Sequence, residues 1–450
     1  MSAPPRPGAG APRPYQFPAT AAHTLANGLQ VMVAPLHRLP AATVFLLVPA
    51  GGEAEAPDHA GLAALTAPAL LEGSRRRDTN ALAAAFEQLG GEAFSSVEWT
   101  HADCGTTVLS RRLDATLGLL AETVIEPALP TEGIGRLRDE RQAELLQQQA
   151  EPRGLADDLL LASCFDAGDR LSRPLGGDMP RVAACTDAMV RDFHATRYVP
   201  HGSVLIVAGD VNVDAVLRRA EATFGAWAGQ GQQAQVLLER AVLPGRARLL
   251  HRADAPQSEV RVGHASVPRT HPDFHAIAVM NAILGGLFNS RINLNLRERH
   301  AYTYGAFSSF DWRRNASVFS ASTAVQSDVT GPAVREILLE IQRIREEPVA
   351  ADELSLAVDY LSGMFPLRFE TTAAIADALA MRIGFGLGSS YYDTYRDRIR
   401  QVDAAAVQRV AQAHLHPERL QVVVVGDATV VEPALDGLSL GAIERVSAGG

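Results

Sequence analysis

Residues 198–227, YVPHGSVLIVAGDVNVDAVLRRAEATFGAW, carry an apolar strand, a turn and an amphipathic helix in direct succession. The strand covers Ser203 to Ala208 and ends at Gly209-Asp210; a helix follows from about Val213, and Trp227 closes the unit. The same strand ending returns later. LIVAGDV (205–211) and VVVVGDA (422–428) lie 422 − 205 = 217 residues apart. That separation is far too long for a solenoid period. It reads as a duplicated domain, and a 450-residue chain has room for two domains of about 200 residues each.

Working outward, the segment around Asn27-Gly28 starts a strand that runs to Pro35, and Ala42 to Pro49 reads as a second strand, more fully buried. Thr79 to Leu89 has helical spacing and stops at Gly90-Gly91, as a helix capped by glycine does. Ser95–Thr100 and Asp103–Leu109 read as a hairpin, and Leu113–Thr123 and Gly133–Gln149 as helices. A similar order recurs: a strand over Val260–Ser266, a helix over Asp273–Leu284, a hairpin within Ala306–Ala324, a helix over Gly331–Glu346 and a strand over Leu420–Val425. Hairpins outnumber parallel crossovers, so the expected class is α+β: two homologous domains, each a mostly antiparallel sheet covered by helices on one face. The expected division is a disordered Pro-rich tail over 1–22, domains over 23–228 and 247–450, and a Gly/Gln-rich linker over 229–246.

Composition narrows the function. The formal net charge is −10, which argues against nucleic-acid or anionic-membrane partners. All 41 basic side chains are arginine. Three cysteines, Cys104, Cys164 and Cys185, show no CxxC spacing and are expected to be buried free thiols. The first residues have no apolar core of the secretory type, and no apolar run reaches the roughly 18–20 residues of a membrane span. A cytoplasmic protein is the simplest expectation if the chain starts at its natural beginning.

Catalytic motifs are missing. Neither HExxH nor HxxEH occurs, and there is no nucleophile elbow or Walker A loop. His271 and His275 share a helix face but enclose no glutamate, and His271-Pro272-Asp273 reads as a helix start with Asp273 placed by the dipole. His414 and His416 read as a solvated loop. No metal site is expected.

Gly61-Leu62-Ala63-Ala64-Leu65-Thr66-Ala67-Pro68 and the following Ala-Leu-Leu-Glu-Gly-Ser resemble the zinc-bearing helix of the M16 (pitrilysin-like, inverted-zincin) peptidases, G-L-A-H-x-x-E-H-x-L-F-x-G-T. The histidine positions hold Ala64 and Pro68, and the general-base position holds Ala67. Methyl groups neither ligate zinc nor accept a proton from water. The likeness extends over nearly the whole chain after residue 22, with Phe224-Gly225-Ala226-Trp227 and the Glu140-Arg141 helix in the family's order. The third-ligand position holds Gln147, and Glu144 matches it only with a gap. With Thr66 as a cap, Pro68 suits a first helical turn, so a helix beginning near Ala67, or kinked there, is expected.

The second-domain signature is fuller. Leu284-Gly285-Gly286, Ser290-Arg291 and Arg297 to Tyr304 follow the family's L-G-G, S-R and Arg/Tyr spacing, with His300-Ala301 in place of the usual Gly-Leu. The resemblance implies that Arg297 and Tyr304 hold and polarise the substrate carbonyl, with Tyr302 as the alternative phenol. It also implies an M16 fold and a heterodimer in which an HxxEH partner supplies zinc for cleaving an unfolded peptide, this chain holding no cofactor itself. The alternatives are an inert structural subunit and a peptide-binding homodimer.

Overall fold

The computed structural model describes residues 14–229, 240–438 and 440–447. The first half contains strands β1 (Ala21–Thr24), β2 (Gln30–Pro35), β3 (Ala41–Val48), β4 (Phe94–Val97), β5 (Ala102–Leu109) and β6 (Val204–Gly209). Its helices are α1 (Leu62–Ala69), α2 (Thr79–Leu89), α3 (Leu113–Ile125), α4 (Thr131–Ala150), α5 (Pro152–Cys164), α6 (Met179–Ala184), α7 (Asp187–Arg197) and α8 (Val213–Phe224). The second half contains β7 (Arg246–His251), β8 (Gln257–Ser266), β9 (Ala306–Trp312), β10 (Ser317–Gln326), β11 (Gln421–Gly426) and β12 (Ile443–Val446). Its helices are α9 (Phe274–Asn281), α10 (Arg291–Asn293), α11 (Thr330–Glu346), α12 (Ala351–Met364), α13 (Thr372–Gly384), α14 (Tyr391–Arg400), α15 (Ala404–His414) and α16 (Ala428–Asp436).

The strand orders are β1-β2-β6-β3-β5-β4 and β12-β7-β11-β8-β10-β9. Apart from the outermost strands β1 and β12, the two sheets are built alike. Each is antiparallel except around one parallel pair, β2 with β6 and β7 with β11, to which β12 adds in parallel. The duplication is thus a property of the fold: β6 and β11 are the central strands that carry the Gly-Asp ending. Gly209 has φ 153°, and a Cβ there would collide with the carbonyl oxygen of Ala41 on β3. Only glycine lets the neighbouring strand come that close.

Both central strands are buried along their whole length, which explains their unbroken apolar sequence. Alternate residues face opposite cores. On β6, Leu205 and Val207 face the helices of the first half, whereas Ile206 and Ala208 share a core with Ile375, Ala376 and Leu379 of α13. On β11, Val422 and Val424 face the helices of the second half, whereas Val423 and Val425 pack with Ala156, Leu160 and Cys164 of α5. Each sheet is therefore covered on one face by its own helices and on the other by a helix from the opposite half. Polar contacts fix the crossing helices. The hydroxyls of Thr43 and Thr372 lie 2.8 Å apart, and Arg261 of β8 pairs with Asp157 of α5 at 2.5 Å.

The expected tail differs from the structure in its described part. Phe17 is buried and stacks on Tyr392 with ring centroids 4.5 Å apart, and Tyr15 stacks on Phe369 at 6.0 Å. Burial of these aromatic side chains favours an ordered path for the segment. Most of the expected linker, 230–239, lies outside the described residues. All three cysteines are free and buried, and burial pushes the thiols of Cys104 and Cys164 up to about 12. Among the described residues, no helix is long and apolar enough to cross a membrane.

Candidate functional site

Helix α1 begins at Leu62, not near Ala67, and Pro68 falls in its last turn. The reason lies outside the segment. Gly61 sits at φ 99° as the N-cap, and the Glu55 carboxylate accepts the N–H groups of Gly61 at 3.3 Å and Ala63 at 2.5 Å. Glu55 in turn pairs with Arg170 at 2.6 Å. These bonds satisfy the orphan donors of the first turn. At the far end, Leu70 and Leu71 bond to Ala67 and Pro68, so the helix closes in a tight i→i+3 turn right after the proline.

Ala63 and Ala67 are buried in the first core, and Ala64 and Pro68 are half-buried. Helix α4 packs against α1 and carries the remaining positions. Gln147 is exposed, and Glu144 is exposed and paired with Arg141 at 2.9 Å. Two methyl groups, a pyrrolidine ring and a carboxamide do not form a zinc donor set, so these four positions do not fit the metal.

The second-domain motif is organised around two π-helical turns, Ala282–Gly286 and Leu294–Arg299. A Cβ at Gly285 would collide with the backbone nitrogen of Ser308, so this glycine seats the first turn against β9. Three side chains brace the segment between the two turns and the start of the second. Arg291 makes a bidentate pair with Glu353 on α12, both contacts at 2.8 Å. Asn293 accepts the N–H of Ala306 at 3.0 Å and donates to the Phe288 carbonyl at 2.7 Å. Asn295 donates to Glu340 at 2.6 Å. Their supporting role was invisible in the sequence, where only the S-R pattern pointed to Arg291.

Arg297 lies at the end of this braced segment with its guanidinium 4.6 Å from the centre of the Phe288 ring. Its one charged neighbour among the described residues is Glu298 at 3.7 Å, and its Nη1 is buried without a hydrogen-bond partner. The loop then turns through Ala301 at φ 54°, a left-handed backbone that costs an alanine about 1 kcal/mol. Tyr302 folds back to stack on His300, centroids 4.9 Å apart. Tyr304 projects outward and is 96% exposed. The two tyrosines thus differ: one is held against the fold and the other is presented.

The histidines regroup in a way their spacing did not suggest. His414 is buried rather than in a solvated loop; it ends α15 and contacts Asp273 at 2.8 Å. Asp273 makes no capping bond to its helix and instead takes a bidentate contact from Arg409, at 2.7 and 3.0 Å. Arg409, then His414, hold the Asp273 carboxyl well below the usual range. His271, Asp273 and His414 place ligand atoms within 4.8 Å of one another, but both carboxylate oxygens are already taken by the guanidinium. His275 points instead into an aromatic group, 5.5 Å from Tyr395.

The two motifs thus differ: the α1 and α4 positions offer no metal donors, while Arg297 and Tyr304 lie on a braced loop. Residues 31–178 match the family described as insulinase (peptidase family M16), and residues 184–361 match the peptidase M16 inactive domain. The chain belongs to the M16 peptidase family. It is 26% identical over 398 residues to an uncharacterized zinc protease of Mycobacterium leprae, covering 87% of this chain and 88% of that protein. It is 24% identical over 426 residues to a probable mitochondrial-processing peptidase subunit beta of Arabidopsis thaliana, covering 91% and 78%. Among solved structures, the fold matches a peptidase M16 inactive domain from Pseudomonas fluorescens with TM-score 0.84 at 22% identity, over 91% of this chain and 98% of that one. It also matches a protease from Helicobacter pylori with TM-score 0.85 at 18% identity, over 91% and 100%.

Proposed function

We propose that this chain is the non-zinc subunit of a two-chain M16 peptidase. An HxxEH partner would supply the metal and the base, and Arg297 and Tyr304 would grip the substrate carbonyl. The observation that carries this is the contrast between the two motifs. Ala64, Ala67, Pro68 and Gln147 offer no donor set, while Arg297 and Tyr304 sit on a braced loop with Tyr304 almost wholly exposed. A guanidinium and a phenol aimed at a developing oxyanion act without a metal on their own chain, and each such donor is worth about 10²-fold in turnover. The substrate in this reading is an unfolded peptide.

An exposed apolar row supports a second chain. Leu356, Tyr360, Met364 and Leu367 are 46%, 46%, 38% and 57% exposed along α12 and just beyond it. A row of that length on one helix face is what a stable partner covers.

The test is reconstitution. The lone chain should contain no stoichiometric zinc by elemental analysis and should cleave no peptide, with its melting temperature unchanged by chelator. Co-expression with an HxxEH chain should give a complex whose cleavage is chelator-sensitive. Stoichiometric zinc or chelator-sensitive cleavage in the lone chain would sink the proposal.

A further inference from the structure

A cavity of about 680 Å³ lies among α9, the edge strand β9 and helices α12, α13 and α14. Its walls are aromatic: Phe310 stacks on Trp312 at 5.0 Å, and Phe365 on Tyr395 at 4.5 Å. Arg269 reaches the same space and is only 6% exposed. Its guanidinium lies 3.3 Å from the centre of the Phe274 ring and 4.9 Å from that of Tyr391, to whose hydroxyl it donates. Among the described residues no carboxylate comes within 4.0 Å of it. Arg368 lines the cavity as well and, among the same residues, also lacks an ion pair.

An unpaired buried guanidinium is costly, and aromatic faces offset that cost only in part. Stacking holds the plane of the group and leaves its N–H edge for an anion. Five donors in a rigid fork suit a carboxylate, and here one of them has a partner in the tyrosine hydroxyl. The one acid lining the cavity is Asp377, against the two guanidiniums of Arg269 and Arg368. The site is locally cationic in a protein of net charge −10. The volume is that of a small-molecule or single-residue pocket.

We infer that this cavity binds the C-terminal residue of a peptide, with the carboxylate on Arg269 and a large apolar or aromatic side chain between the aromatic walls. The cavity adjoins the gripping loop: Gly286 and Leu287 line it, and the next residue, Phe288, carries the Arg297 guanidinium. The inference uses none of the residues that hold the carbonyl and stands whether or not a zinc partner exists.

The experiment is calorimetric titration of the full lone chain with a hexapeptide ending in Phe, as the free acid and as the C-terminal amide. The acid should bind at least about tenfold more tightly than the amide. Arg269→Gln should abolish that preference, and Arg368→Gln, at an exposed position, should weaken the acid several-fold without moving the melting temperature. Equal affinity for acid and amide, or no binding of the acid, overturns the inference. So does equally tight binding of an amidated peptide carrying an internal Glu. If Arg269→Gln does not fold, unchanged acid affinity in Arg368→Gln overturns it.

Discussion

The Glu55 carboxylate meets the Arg170 guanidinium at 2.6 Å, with the two side chains 0% and 5% exposed, and the same carboxylate caps the first turn of α1. Arg170 also donates to the carbonyls of Arg173, Pro174 and Leu175, so one ion pair fastens a loop of the first half to the head of the helix. Helix α1 is thus held by an ion pair at its first turn. Glu55→Ala strands a buried guanidinium and frees two helix donors. It should lower unfolding free energy by about 3–5 kcal/mol in urea titrations. A loss under about 1 kcal/mol would show that the pair is not what holds α1.

For the loop proposed to grip substrate, Tyr304→Phe removes one hydroxyl from a side chain that touches little of its own fold. In the reconstituted pair, turnover should fall by about 10²-fold while melting temperature and assembly stay unchanged. Arg297→Ala should act similarly, with a small stability loss from the Phe288 contact. Full turnover in both variants removes them from the reaction.

Ala301 gives a stability test in the same loop. Its φ of 54° is a glycine conformation, so Ala301→Gly should be neutral or stabilising by up to about 1 kcal/mol despite the usual cost of glycine in the unfolded chain. Thermal denaturation measures this directly. A clear destabilisation would mean that the methyl group packs in a way that outweighs the backbone term.

The pH dependence follows from two buried histidines. His264 is 1% exposed; its Nδ1 contacts the Ala265 carbonyl and its Nε2 accepts the N–H of His416, which requires a neutral ring. Burial pushes His264 down to about 4, and burial with the positive fields of Arg398 and Arg269 pushes His275 down to about 4. Unfolded histidine titrates near 6.5. Between those values the unfolded chain binds protons that the native state refuses. Stability should therefore be complete above pH ~6.5 and decline as pH falls toward ~4, by at most about 3 kcal/mol per ring. His275→Phe, which also removes a buried unpaired Nε2, should flatten that decline in urea titrations at pH 5 and 7. An unaltered slope would mean that His275 does not titrate as described.

Local signals in the chain translated well into elements. The strand pair at a spacing of 217 became β6 and β11, because strands buried on both faces leave an unbroken apolar run. Thr79–Leu89 matched residue for residue, since Asp78 caps its start and Gly90, at φ 83°, ends it. The family spacing after Leu284-Gly285-Gly286 pointed to Arg297 and Tyr304 but left Tyr302 as an alternative; the exposure that separates the two tyrosines came only from the fold. Contacts between distant segments were not legible. Glu55 and Arg170 are 115 residues apart, Asp273 and His414 are 141 apart, and neither pair follows from any periodicity. Pro68 misled for that reason: a local rule placed it at a helix start, and a remote carboxylate had already set the start elsewhere.

Helices α5 and α13 each complete the core of the sheet made by the other half. This is the geometry of a domain-swapped dimer whose two copies have been joined into one chain. Arms exchanged in this way interlock the halves independently of the connection between them, so a chain severed between the halves should remain associated. Each half alone would expose Val423 and Val425, or Phe45 and Ile206, and would be prone to aggregate. The angle between the two sheets is thus set by shared cores rather than by a hinge. If a second chain closes over the site, it meets one rigid jaw.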